Sequence, residues 1–509
     1  MRVIVLLVLL LMPTAAAAAP VIGAIGSAIS AIQAFAAASW VGSLIVRVAT
    51  SLAISALANA LNPQQRRRQV GITTPYMMTG ETNAESFILG KYATGGQLVY
   101  PPLTHGGSTG TEFKTIVVAL SCLPGHQLQR ISIGGKWAPF TGVVHADYGQ
   151  ELGNGFEGFA WVKYYDGSQV AADPMLVAKY GTHADYPWTA DMIGKDICYA
   201  IITLKASKKR FGGAVPAIRF ELNGLKLYDP RKDTTAGGVG VHRWIDQSTW
   251  EWTDNPVVMI YNILRGIDIK AGDPVWGGAV EASDLPYATW AAAMDYCDDQ
   301  VALASGGTEP RYRAGYEIRL DMEPRQVIGE ISSACSAFVA DVGGRWIVRA
   351  GVPAVATMSI TDDDIVVTDA RQLRPQVGLE NTHNAISATW IDPESFYQPK
   401  DAPAWVNQTA LQEDGGRRLV ADVNLPAVTA QYQVERLQKA WLADDRRWRT
   451  HVFTLPPRMV AMEPFDVITW TSDRNSYSAR PFEVVSVTDD PLTLNQRVTI
   501  REVDYSDWV

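Results

Sequence analysis

The chain is poor in the residues that carry most recognisable chemistry. Its 509 residues hold only four cysteines and seven histidines. The cysteines, at 122, 198, 297 and 335, form no C-x-x-C pair. That argues against a zinc ribbon or a disulfide framework and leaves buried free thiols as the expectation. The histidines, at 105, 126, 145, 183, 242, 383 and 451, include no H-E-x-x-H motif and no close pair. Spacing therefore points to no metal site and no cofactor. Charge is also sparse, with Asp, Glu, Lys and Arg at 19% and a net charge of −9. A chain so balanced offers no basic face to a polyanion, and specific nucleic-acid binding is not expected.

Acidic residues are missing altogether from the start of the chain. No Asp or Glu precedes Glu81, while Arg2, Arg47 and Arg66 to Arg68 give this stretch +5 and leave −14 on the remainder. Two environments are implied. Arg2, the apolar run 3–12, Pro13 and the alanines 15–19 have the layout of a secretory signal peptide with an A-x-A-like cleavage site. A second apolar stretch, 20–61, is rich in Ala, Gly and Ser, and is stopped by Asn62-Pro63 and flanked by Arg66 to Arg68. It reads as a membrane anchor, or as helix with the small-residue surface that lets helices pack closely inside a protein sheath.

What the rest of the chain has in quantity is apolar and aromatic residues, 47% and 9% of the whole. A mostly disordered protein is excluded, and the length suits several domains. Short strands at hairpin spacing are expected at 113–120, 131–133, 159–165 (closing at the Asp166-Gly167 hairpin signal), 198–204, 218–222 and 224–228. Asn255-Pro256 is an N-cap followed by Pro at the first helical position, and Val257, Ile260, Tyr261 and Leu264 share one face before Gly266. A second helix is expected from Ser283, with Trp290, Met294 and Cys297 on one face. A third is expected from Pro324 to about Val342, closed by Gly343-Gly344 and followed by a strand over 345–349. Val434, Leu437, Trp441 and Trp448 mark a C-terminal helix, and strands are expected at 467–470, 482–487 and 497–503.

Three patterns imitate catalytic motifs. Gly106-Gly107-Ser108-Thr109-Gly110 matches G-x-S-x-G, and 153–158 matches G-x-G-x-x-G, but each is followed by a strand where the chemistry needs a helix N-terminus. Both read as loops. Thr361-Asp362-Asp363-Asp364 reads as a capping box rather than a metal cluster, and Asp298-Asp299 as a solvated turn. No catalytic constellation emerges.

Several segments together resemble a known family. They are VVALSCLPGHQLQRISIGGK (117–136), YDGSQVAADPML (165–176) and GKDICYAIITL (194–204). More specific are AVPAIRFELNGLKLYDPRKD (214–233) and HRWIDQSTWEWTDNPVVMIYNILRG (242–266). EPRQVIGEISSACSAFVADVGGRWIVRAG (323–351), SITDDDIV (359–366) and RPFEVVSVTDD (480–490) continue the series. In this order they resemble the central tail-tip hub proteins of long-tailed bacteriophages, the family of the lambda-type host-specificity protein and of the gene transfer agent hub. The resemblance covers roughly residues 112–509 and is strongest over 214–266. One departure is local: where the family has a Pro-Gly-Asp turn, this chain has Glu463-Pro464-Phe465-Asp466.

The resemblance implies a structural, non-enzymatic virion protein of the tail tip, assembled in the host cytoplasm as a homotrimer. Its partners would be distal tail or tube proteins, the tape-measure protein and tail-fibre proteins. Because the chain carries no long extension past the hub segments, receptor contact would fall mainly to separate fibres. Tyr228, Asp229, Pro230, Arg231, Trp252, Asp254, Asn255 and Pro256 are the family-motif structural residues. Phe35, Trp40, Leu44 and Ile45 would lie on helices bundled in the tube lumen, able to reach the host membrane when the tip opens. A secreted or membrane-anchored surface adhesin and an envelope-degrading enzyme are the alternatives.

The expected fold class is α+β and multidomain: β-barrel-like tube domains interrupted by helical and α/β segments, with an N-terminal apolar helical segment. The expected units are the apolar segment 1–62, an extended arm 63–111, a β-rich unit 112–233, a helical insert 234–310, a small α/β unit 311–360 and a C-terminal unit 361–509.

Overall fold

The computed structural model describes residues 78–79, 84–211, 215–270, 272–378, 381–490 and 492–508. Phe35, Trp40, Leu44, Ile45 and the whole of 1–62 lie outside the described residues.

Two-residue periodicity organises the first half. A seven-stranded sheet runs in the order Met78–Thr79, Gln97–His105, Phe113–Ser121, Cys198–Lys205, Ala160–Asp166, Gly149–Leu152 and Phe140–His145. A five-stranded sheet runs Gly315–Arg319, Ser86–Thr94, Ile218–Asn223, Gln127–Ile133 and Trp137–Ala138. Successive side chains of a strand point to opposite faces. Ile116, Val118, Ala200 and Ile202 accordingly join Ile131, Phe220 and Leu222 in a core shared by the two sheets. Val117, Tyr199 and Ile201 face the other way, onto helix α1 (Pro174–Tyr180), which contributes Met175, Leu176 and Tyr180.

Strand Ser86–Thr94 lies between two cores. Ile88 and Tyr92 face the sheet–sheet core, while Phe87 and Leu89 face a second core built on helices. That second core is centred on α2 (Pro256–Arg265), with α3 (Tyr287–Asp298) and α4 (Pro324–Ala334) packed against it. Gly90 makes this strand fit. Its φ is +66°, and a Cβ there would sit 2.1 Å from the Ala314 carbonyl oxygen, a contact only glycine tolerates.

The second half continues with a hairpin, Ala337–Val342 and Arg345–Ala350. A three-stranded sheet follows in the order Gln398–Val406, Ala385–Asp392, Val420–Leu425, and α5 (Gln431–Asp445) packs on it. The last sheet has six strands: Met358–Thr361, Val467–Ser472, Tyr477–Asp489, Gln496–Glu502, Thr450–Leu455 and Gln372–Arg374. It curls around its own core of Phe453, Ile468, Trp470, Phe482, Val498 and Ile500.

The protein is thus β-rich, with several sheets and a few helices. No sheet closes into a barrel among the described residues, because each ends in unpaired edge strands such as Gln372–Arg374 and Met358–Thr361. No described helix is long and apolar enough to cross a membrane.

Several local expectations need correction. The third helix stops at Ala334, and Ala337–Val342 is a strand instead. Ser336 at φ +50° breaks the helix, and Gly343-Gly344, at φ +62° and +87°, forms the hairpin turn rather than a helix cap. Asp166-Gly167 is not a tight hairpin, since the connection to Cys198–Lys205 includes α1. The arm expected at 63–111 includes the buried strand Ser86–Thr94 and the strand Gln97–His105. The second helix starts at Tyr287, and Trp448 lies beyond the end of α5. Helix α2 is buried from Pro256 to Leu264 on every side rather than on one face.

Candidate functional site

The residues of the 228–256 motif converge where α2 and α3 meet the chain that follows strand Lys226–Leu227. Asn255 sets the geometry. Its side-chain oxygen accepts from the Val257 and Val258 amides at 3.0 and 3.2 Å, satisfying donors that a helix start leaves open. Its amide nitrogen donates to the Met294 carbonyl of α3 at 2.8 Å. One side chain therefore caps one helix and ties it to the next. Pro256 begins the helix, where a missing N–H costs nothing.

Asn262, in the middle of α2, makes the second tie. It accepts from the Tyr228 amide at 3.1 Å and donates to the Tyr228 carbonyl at 2.8 Å. A buried helix face thereby hydrogen-bonds a passing strand as another strand would. The Tyr228 hydroxyl donates to Asp233 at 2.7 Å, and burial with that carboxylate acceptor drives the phenol pKa upward. Around it, Tyr228, Trp244, Trp250 and Tyr261 form an aromatic cluster with centroid spacings of 5.4–6.1 Å. The Arg265 guanidinium lies 4.1 Å from the Trp244 ring centre.

Asp229 and Arg231 form the polar half. Asp229 accepts from the Arg231 amide at 2.9 Å to start the short turn Pro230–Lys232, and its carboxylate pairs with the Arg231 guanidinium at 2.7 Å. The same guanidinium reaches Asp295 and Asp298 of α3, each at 2.8 Å. Burial alone would lower the Arg231 pKa, but its hydrogen bonds to these carboxylates outweigh that and raise it. Asp298 is exposed at the end of α3, and from there it also anchors the junction. The Asp229 amide donates to His242 Nδ1 at 3.1 Å, which fixes the proton of the neutral ring on Nε2. Desolvation holds the His242 pKa below its usual value.

Trp252 Nε1 donates to the Gly90 carbonyl at 3.2 Å, and the Asp254 carbonyl accepts from the Ala314 amide at 2.8 Å. Both bonds fasten the motif to the pair of strands around Gly90. Burial raises the Asp254 carboxyl pKa, with Arg313 opposing. Tyr228 and Arg231 are thus bonded to α2 and α3, Asn255 and Pro256 start α2, and Trp252 and Asp254 bond instead to Gly90 and Ala314. Sequence reasoning missed Asn262, Asp233, His242 and Arg243, whose guanidinium pairs with Asp233 at 2.9 Å. Asn262 is the one with a visible signal, a polar residue inside an otherwise apolar helical run.

The arrangement is a structural knot: Asp229, Asp295 and Asp298 are committed to Arg231, and Asp233 to the Tyr228 and Thr235 hydroxyls and to Arg243. Among the described residues no group of three or more His, Cys, Asp or Glu is placed to hold a metal. Thr361 and Asp364 form the capping box, but it starts only the short turn Asp362–Asp364. The two glycine motifs are loops, each followed by a strand. The turn that departs from Pro-Gly-Asp places Phe465 at φ +76°, a left-handed conformation that suits the glycine of the usual pattern.

Comparison with solved structures gives the fold a precedent. The chain is similar to a chain of the virion of the native gene transfer agent particle, with a TM-score of 0.57 and 14% identity, over 97% of this chain and 98% of that one. The prophage MuSo2 43 kDa tail protein from Shewanella oneidensis aligns over 83% of this chain and 98% of its own, at 8% identity. Its TM-score of 0.28 is too low to bear on the fold. In sequence, residues 323–487 match the family model described as a putative phage tail protein. That segment runs from the start of α4 into the last sheet and does not include the 228–256 motif. No curated protein matches the chain.

Proposed function

We propose that this chain is the central hub of a phage-type tail tip, a structural and non-enzymatic virion component. In this reading three copies form a ring whose β-units, barrel-like once neighbouring edges meet, continue and then close the tail tube. The ring joins distal tail or tube proteins, anchors fibres, contacts the tape-measure protein, and takes part in host attachment and genome delivery. Residues 1–62, with Phe35, Trp40, Leu44 and Ile45, fill the lumen and reach the host membrane when the tip opens.

The observation that carries the proposal is the near full-length similarity to a gene transfer agent virion chain, joined to a tail-protein match over 323–487. Exposed apolar residues support an assembled state. Val239, Val241 and Ile245, beside the knot, are 87%, 72% and 82% exposed, and Phe140, Val143 and Val144 lie on an edge strand with every residue exposed. Such surface is what subunit contacts cover. Immunogold labelling of particles for this chain, together with electron microscopy of the purified protein, tests the reading. Label at the distal tail end and a three-fold ring are expected. Complete, infectious tails lacking the chain would refute it.

A further inference from the structure

A concave cleft lies where the hairpin after α4, helix α5, the three-stranded sheet and the six-stranded sheet meet, far in sequence from the knot. It encloses about 630 Å³, within the ~300–1,000 Å³ typical of small-ligand sites. Its walls carry partly exposed aromatic rings, Phe338, Trp441, Trp448 and Phe465.

The three arginines of the cleft are each matched to a carboxylate. Arg501 holds Asp444 through two bonds at 2.9 and 3.0 Å, Arg447 holds Asp507 through two at 2.8 Å, and Arg349 lies 3.0 Å from Glu483. Asp445 is bound to His383 and Asp422 to the Ser387 hydroxyl instead, so the lining is strongly polar with a small excess of carboxylate, which disfavours an anionic ligand. Exposed Asp422 and Asn424 add acceptors and an amide at the rim. Three donors in the walls, Ser332 Oγ, Trp448 Nε1 and Trp508 Nε1, have no partner. Buried donors left so are destabilising unless an occupant supplies acceptors.

An occupant that fits is not anionic, carries many hydroxyl groups that both donate and accept, and offers C–H faces to aromatic rings, whose negative π-faces favour such contacts. We propose that the cleft binds a short neutral oligosaccharide, with the ring faces as stacking platforms and Asn424, Asp422 and the unpartnered indoles as hydrogen-bonding groups. The inference stands on the cleft alone and does not require the hub reading. A peptide from a second copy of the chain is the competing occupant.

The test is tryptophan fluorescence of the full-length protein titrated with three neutral sugars, maltotriose, cellotriose and triacetylchitotriose. A saturable change with at least one of the three is expected. Asn424→Ala, an exposed position, and Trp448→Phe, which keeps a ring and removes the N–H, should each weaken binding roughly fivefold to tenfold, the effect of one neutral hydrogen bond. Val170→Ala, on an 84% exposed residue outside the cleft, should leave it unchanged. No saturable response to any of the three sugars overturns the proposal, as does binding that ignores both cleft variants. A fluorescence change that follows protein dilution instead of sugar assigns the cleft to a second copy and overturns it equally.

Discussion

Replacing Asn255 with Ala should loosen the helical core specifically, because this side chain does two jobs at 1% exposure. Loss of the cap leaves the Val257 and Val258 amides without their acceptor, which costs about 0.5–2 kcal/mol. Loss of the side-chain nitrogen strands the buried Met294 carbonyl, a further ~1–3 kcal/mol. Together they amount to about 1.5–5 kcal/mol, or roughly 10- to 4,000-fold in the opening equilibrium. Asn255→Ser keeps a capping oxygen but cannot reach Met294, so it should recover about 1 kcal/mol. Amide hydrogen exchange read by mass spectrometry is the appropriate assay, because a chain of several packed units need not unfold in one step. Faster exchange is expected in peptides covering Pro256–Arg265 and Tyr287–Asp298, with the Val467–Ser472 and Tyr477–Asp489 strands unchanged. A less than threefold effect in α2, or an equal effect in the last sheet, would refute the knot as described.

Two further outcomes follow from buried groups. His126 is fully buried, its Nε2 accepts from the Ile88 amide at 3.0 Å, and burial pushes its pKa from 6.5 down to about 4. The unfolded chain binds this proton below 6.5 and the folded chain only near 4. This contribution, on the order of 3 kcal/mol, is therefore present above pH 6.5 and lost as pH falls toward 4. Urea midpoints measured from pH 7.5 to 4 should fall less steeply in His126→Gln than in the parent, and identical slopes would contradict the assignment. Gly90→Ala should fail to yield soluble protein, since its Cβ would collide with the Ala314 carbonyl at 2.1 Å; a soluble variant melting within about 2 °C of the parent would show that the strands can shift.

Signals confined to a few neighbouring residues were legible in the sequence. Asn255-Pro256 and Gly266 bound a helix in the chain as they do in the fold, because capping and backbone conformation depend on adjacent atoms. The strands at 113–120, 198–204 and 467–470 were equally plain, since one or both faces bury a continuous apolar set. Strand Ser86–Thr94 was not, because Gly90 interrupts it and burial on both faces erases the alternation that marks a strand. Ala337–Val342 passed for helix, because apolar residues spaced for one period also fit the other over so short a run.

Sequence by itself determined the scarcity of metal-ligand and nucleophile patterns, the charge asymmetry of the N-terminal stretch, and the order of motifs that resembles tail hubs. Only the tertiary structure decided that Tyr228, Asn262, Arg231 and Asp298 form one knot, and that rings and ion pairs from four separate elements enclose a cleft. Those groups lie tens to hundreds of residues apart, and their meeting depends on how sheets and helices pack rather than on any local preference. Hydrogen bonds and ion pairs act over a few ångströms, and which residues come that close is settled only when the cores form.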